Sequence, residues 1–244
     1  VATLSLAAVL LGPMVTSAQG TGAPAAAPEV PGAAPANKQD YSQAERLLFM
    51  GQQLKALKPP TTLRYVFRKS GTLEDGFEDT VTLSYKRAPN GKCCAVSGDF
   101  LTGQRRLQLP EIENAEANPV LLYFLERDVR DMQRLTKGNQ AYYRKRLRMA
   151  AYEGATVTPV TVVFRGKSVP ARQVDLSPYR DDPARSRFEK YARKTYRFLL
   201  SDAVPGGVFG MRTVMQDESP TAPPMIVEEL FLDGAEVPKV SPTT

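Results

Sequence analysis

The chain has 244 residues, a formal net charge of +6, two cysteines and no histidine. The missing histidine excludes Ser-His-Asp and Cys-His catalysis, His-ligated zinc or haem, and histidine general bases. No Gly-rich phosphate loop and no EF-hand pattern occurs either, so no cofactor, no metal and no catalytic residue is expected.

Residues 1–18 read as an export signal. Val1 to Val15 carry no charge, Leu4 to Leu11 form an apolar run, and Pro13 breaks it ahead of the small residues Thr16 and Ala18. The run is far shorter than the roughly 20 residues needed to span a bilayer, so cleavage after Ala18 is expected rather than anchoring. The chain opens on Val1 without the basic n-region of such signals, which reads as a truncated start. No cysteine lies near the cut to accept a lipid, and no Asn-x-Ser/Thr triplet occurs. The expectation is a free periplasmic protein, with no nucleic-acid partner.

Residues 19–38 are almost entirely Ala, Pro and Gly, and bury too little apolar surface to offset the entropy of ordering. They read as a disordered linker. Residues 39–240 then have the length of one α+β domain.

Ser42 with Glu45 three residues on is a capping-box pattern, and Leu47, Leu48, Met50 and Leu54 fall on one side, so 42–57 reads as a helix stopped by Pro59 and Pro60. Two alternating runs follow. Leu63, Tyr65 and Phe67 face away from Arg64 and Arg68, and Val81, Leu83 and Tyr85 oppose Thr80, Thr82 and Ser84. Asn90-Gly91 suits a tight turn into a strand over 92–99, with a weaker edge over 100–109. Asn118 caps the next helix with Pro119 in its first position, and Leu121, Leu125, Val129, Met132 and Leu135 form its apolar stripe. Glu126 with Arg130, and Arg127 with Asp131, are four apart and read as exposed pairs. Asn139 opens a shorter helix with Tyr143 and Leu147 inward, completing a helical hairpin. Strands resume over 157–164, 169–176, 196–200, 208–215 and 226–232, with turns at Arg165-Gly166-Lys167 and Pro205-Gly206-Gly207. Asp182-Pro183 reads as the start of a short helix.

The order is helix, strands, helical hairpin, strands, on an exported chain. It resembles the LolA and LolB type of periplasmic lipoprotein carrier. The resemblance implies a curved antiparallel sheet, half-barrel-like, that holds acyl chains on its concave face under a helical lid. It rests on element order and carries over no individual residue.

Leu63, Tyr65, Phe67, Val81, Leu83 and Tyr85 are the candidate acyl-binding face, although ordinary core accounts for any one of them equally simply. The segment from Val120 to Ala151 holds eight basic residues against three acidic ones. Arg144, Lys145, Arg146 and Arg148 crowd one helix, and are candidates for contact with an anionic membrane surface; a solvated face is the simpler alternative. Cys93-Cys94 reads as a structural pair on a strand, one side chain inward and one outward, since a ring between neighbours closes almost no loop. The rival to a carrier is a carboxylate-dependent envelope hydrolase or transglycosylase. Its candidates are Glu74, Asp75, Glu78 and Asp79, which Gly71 and Gly76 place on a solvated hairpin loop, and Asp181-Asp182, which read as a cap. A third possibility is a scaffold protein of the envelope.

Overall fold

The computed structural model describes residues 41–91, 93–108, 110–219 and 221–238. The expected export signal and linker lie outside them. Among the described residues there are three α-helices, α1 (Gln43–Phe49), α2 (Val120–Thr136) and α3 (Gln140–Glu153). The first strands are β1 (Thr61–Ser70), β2 (Phe77–Arg87), β3 (Cys93–Phe100) and β4 (Leu107–Gln108). After the helical hairpin come β5 (Thr156–Phe164), β6 (Lys167–Leu176), β7 (Lys194–Leu200), β8 (Val208–Met215) and β9 (Ile226–Leu232). The fold is α+β, with one open, curved antiparallel sheet in the order β4-β3-β2-β1-β9-β8-β7-β6-β5.

That order explains the position of the hairpin. The chain starts at the centre with β1 and meanders to one edge at β4. Helices α2 and α3 then carry it to the opposite edge, and β5 to β9 meander back until β9 pairs with β1. Strand alternation gives the sheet a helix face and an opposite face. Leu63, Tyr65, Phe67 and Lys69 of β1, and Ile226, Glu228, Leu230 and Leu232 of β9, are buried on the helix face. At the far edge, hydrogen bonds from Arg165 N to Gly234 O (2.8 Å) and from Glu236 N to Val163 O (3.0 Å) tie β5 to the segment after β9.

Several boundaries differ from expectation. Helix α1 has its capping box, with Ser42 Oγ accepting from Glu45 N and Glu45 accepting from Ser42 N, but it ends at Phe49 instead of running to Leu57. Gly51 interrupts it, and the Gln53 amide donates to Leu47 O (2.8 Å) at the frayed end. The short helix expected after Asp182-Pro183 is a single 3-10 turn, Arg185–Arg187; Asp182 accepts from Ala184 N (2.7 Å) just ahead of it and from the Tyr142 hydroxyl, which fastens this segment to α3. Cys93 and Cys94 are joined to each other in a disulfide across a cis peptide bond, with Cys94 fully buried.

Candidate functional site

The seam between α2 and the helix face of the sheet concentrates the polar chemistry of the molecule. Expected exposed pairs on α2 turn out otherwise. Arg127 has a side chain only 12% exposed, and its Nη1 donates to Glu228 Oε1 of β9 (2.7 Å). Its bond to Asp131 is longer, at 3.6 Å. Glu126 is taken by Arg144 of α3 in a two-pronged pair, both contacts 2.7 Å, so it ties the two helices together instead of serving Arg130. The physical reason is geometric: α2 lies across the sheet, and its 127–131 turn faces strands whose own charged residues point up.

Those residues form a transverse row. Strand registers place Lys69 opposite Glu228, Glu228 opposite Thr213, and Thr213 opposite Tyr196, across β1, β9, β8 and β7. Above the row sits Asp128 of α2, fully buried, in contact with Lys194 Nζ and accepting from the Tyr196 hydroxyl (2.7 Å). Lys69 Nζ reaches Glu74 (2.6 Å), Asp131 (3.6 Å) and Glu228 (3.6 Å), and Arg134 closes the cluster on Glu74 (2.6 Å) and Asp131 (3.3 Å). Four acids, Glu74, Asp128, Asp131 and Glu228, thus meet four bases, Lys69, Arg127, Arg134 and Lys194. Glu74 is therefore no free loop acid, as its sequence neighbours suggested. Glu228 Oε2 and Thr213 Oγ1 find no hydrogen-bond partner among the described residues.

Electrostatics follows from this packing. Burial pushes the Asp128 carboxyl above its usual range, with Glu228 adding to the effect and Lys194 opposing it. Burial also disfavours the Lys194 ammonium, but Asp128, Glu228 and Asp131 outweigh that and hold its pKa above the ordinary lysine value. For Asp131, burial is overcome by Arg127, Lys69 and Arg134, so its pKa falls below 3.8; the Arg134 hydrogen bond does the same for Glu74, below 4.5. A depressed carboxylate stabilises the fold above its unfolded pKa and loses that contribution as pH falls through its folded pKa; Asp128 runs the other way. Arg144 holds Glu126 down, and Thr102 and Thr80 hold Asp79 down against its burial, so with four depressed acids against one raised the urea midpoint should stay level from neutral pH to about pH 5 and drop between about pH 4.5 and pH 3. A midpoint that holds or climbs down to pH 3 would contradict this arrangement of charges.

A second polar hub sits where α2 begins. Asn118, 1% exposed, accepts from the Tyr85 hydroxyl (2.9 Å) and from Val120 N (3.2 Å), and donates to the Tyr65 hydroxyl (2.9 Å) and Gly206 O (2.8 Å). Gly206 has φ of 72°, and a Cβ there would lie 2.8 Å from the Asn118 amide nitrogen, so the turn needs glycine for both reasons. Burial raises the pKa of Tyr65 and Tyr85, which keeps both hydroxyls neutral.

All six candidate acyl-face residues lie together on the helix face. Leu63, Tyr65, Phe67, Val81, Leu83 and Tyr85 are each at most 5% exposed and share one core with Leu121, Phe124 and Leu125 of α2. The Arg127 guanidinium stacks over the Phe67 ring at 4.6 Å. The four basic candidates of α3 divide. Arg144 is held by Glu126, and Arg146 is held by Pro178 O (3.1 Å) and Asp182 (2.8 Å), whereas Lys145 and Arg148 are exposed. No group of three or more His, Cys, Asp and Glu suited to a metal occurs among the described residues.

The site thus belongs to an α+β protein whose helical hairpin covers one face of an open sheet. No known family model matches the chain, and no curated protein matches it. A solved structure, the lipoprotein LppX of Mycobacterium tuberculosis, is similar at 10% identity, over 83% of this chain and 100% of that one, with a TM-score of 0.33.

Proposed function

We propose that this is a non-enzymatic periplasmic protein that holds an acyl chain on the helix face of its sheet, beneath the α2–α3 hairpin. The observation that carries the reading is the seam. A hairpin meant to stay shut is best fixed by apolar packing, because a buried ion pair contributes little net stability once desolvation is counted. Here the centre of the covering helix meets the sheet through eight charged groups beside Val129 and Met132, and the buried ones among them, Asp128, Lys194, Glu228 and Lys69, regain hydration when the hairpin lifts. Two buried polar atoms in the seam are unsatisfied when it is closed, at a cost of about 1–3 kcal/mol apiece. Lifting would uncover Tyr65, Phe67, Val81 and Leu83 as one contiguous apolar strip, with Leu63 and Tyr85 at its end nearest Asn118. The exposed Lys145 and Arg148 would then meet anionic headgroups, at about 1 kcal/mol each near such a surface.

Titration with 11-(dansylamino)undecanoic acid tests this. The wild-type chain should enhance the probe's fluorescence and release it to oleate. The Asp128→Leu/Lys194→Met variant, whose seam is apolar at its centre, should bind about tenfold more weakly. No enhancement by the wild-type protein, or equal binding by the variant, would sink the proposal.

A further inference from the structure

The face of the sheet away from the helices carries its own transverse row of charges. Registers place Glu78 opposite Arg68, Arg68 opposite Glu229, Glu229 opposite Arg212, Arg212 opposite Arg197, and Arg197 opposite Asp175. The sign alternates along the row and breaks once, at Arg197 and Arg212. Like charges directly opposite on neighbouring strands destabilise a sheet, so the space between these two guanidiniums favours an anion. One carboxylate serves each arginine from the far side: Asp175 lies 2.7 Å from Arg197, and Glu229 lies 3.3 Å from Arg212.

The break in the row lies in a cleft of about 930 Å³. Arg180, Arg185 and Arg193 line it as well, with Arg185 3.8 Å from Glu189 and Arg193 donating to Asp217 O (2.9 Å), and among the described residues Asp175 is the only acid in the lining. Two of its guanidinium N–H groups, Nε of Arg212 and Nε of Arg185, are buried without a hydrogen-bond partner among the described residues. Lys194 and Tyr196 contribute to the wall, but their side chains belong to the seam on the other face.

We propose that this cleft binds a phosphate-bearing anion. Guanidinium forks match phosphate oxygens two at a time, and five arginines lining one cleft favour a ligand with more than one anionic oxygen group. Bound between Arg197 and Arg212, such a group would relieve their repulsion and satisfy the orphaned Nε of Arg212. The site is independent of acyl binding, which uses the opposite face.

Calorimetric titration of the full chain with inorganic pyrophosphate tests the proposal. The wild-type protein should bind it, more weakly as salt rises. The Arg197→Gln/Arg212→Gln variant should lose at least about tenfold in affinity while its far-UV circular dichroism stays that of the wild-type fold. Arg180→Gln/Arg193→Gln, on exposed turns, serves as a second variant if the first fails to fold. Lys86→Gln/Arg87→Gln, at the exposed end of β2, makes the same change in net charge and should leave binding intact. Sedimentation with phosphatidylglycerol vesicles identifies the source of the phosphate. Pyrophosphate binding together with vesicle binding that the Arg197→Gln/Arg212→Gln change abolishes assigns the cleft to lipid headgroups; pyrophosphate binding alone assigns it to a soluble phosphate compound. No pyrophosphate binding by the wild-type chain, or an equal loss in the Lys86→Gln/Arg87→Gln control, overturns the proposal.

Discussion

The Asp128→Ala variant should unfold about 3–5 kcal/mol more easily than the wild-type chain, because Lys194 is left buried with no carboxylate in hydrogen-bond contact. The Tyr196 hydroxyl loses its acceptor in the same change. For a domain of this size each kcal/mol moves the melting temperature by roughly 2–4 °C, so the expected fall is about 10 °C. The double variant Asp128→Leu/Lys194→Met removes both charges and fills the space with apolar atoms, and should match the wild-type protein or exceed it by about 1–4 kcal/mol. Urea unfolding followed by circular dichroism measures all three. A loss below about 1 kcal/mol for Asp128→Ala would mean that the pair is hydrated, and the seam would cease to be a buried one. The double variant also separates a structural role from a functional one. If the seam matters only for folding, a more stable protein binds the fatty-acid probe at least as well as before. If it is the part that must open, stability rises while binding falls.

The strands were legible because their alternation survives into the fold: Leu63, Tyr65 and Phe67, and Val81, Leu83 and Tyr85, share the buried face as their spacing predicts. The hairpin was legible from Asn118, Pro119 and Asn139. Its partners were not, since Asp128 meets a lysine 66 positions on and Arg127 meets a glutamate 101 positions on, and a linear reading assigns such charges to solvent. One signal was nevertheless present. Lys69 continues the phase of Leu63, Tyr65 and Phe67; Lys194 precedes Tyr196 and Phe198 in phase; Glu228 lies between Ile226 and Leu230. A charge in step with an apolar face is buried or faces a partner, and three of them on three strands imply an opposing set of charges. The row on the other face could not be read this way, because its arginines occupy the ordinary solvent phase. Only the strand order, with β9 inserted beside β1, brings them into register.

Asn118→Ala should cost about 3–5 kcal/mol, a large effect for one exchange of an amide for a methyl group. It leaves the hydroxyls of Tyr65 and Tyr85 and the carbonyl of Gly206 without their partner in a dry core, at about 1–3 kcal/mol for each unsatisfied group, and removes the side-chain acceptor at Val120 N. These terms share one side chain and do not simply add. Substituting Tyr65→Phe and Tyr85→Phe in the Asn118→Ala background deletes two of the stranded hydroxyls, and should restore part of the loss even though it removes more polar groups. A triple variant less stable than Asn118→Ala would show that the tyrosines act through packing alone. Hydrogen exchange then distinguishes the two ends of the covering helix. Asn118 ties the start of α2 to β1, β2 and the Gly206 turn, while the charged seam holds residues 127–134. Asn118→Ala should therefore speed exchange first at 120–124, and Asp128→Ala first at 127–134. If both variants instead loosen α2 evenly, the helix is released as one unit, and the hairpin has no fixed end about which to swing.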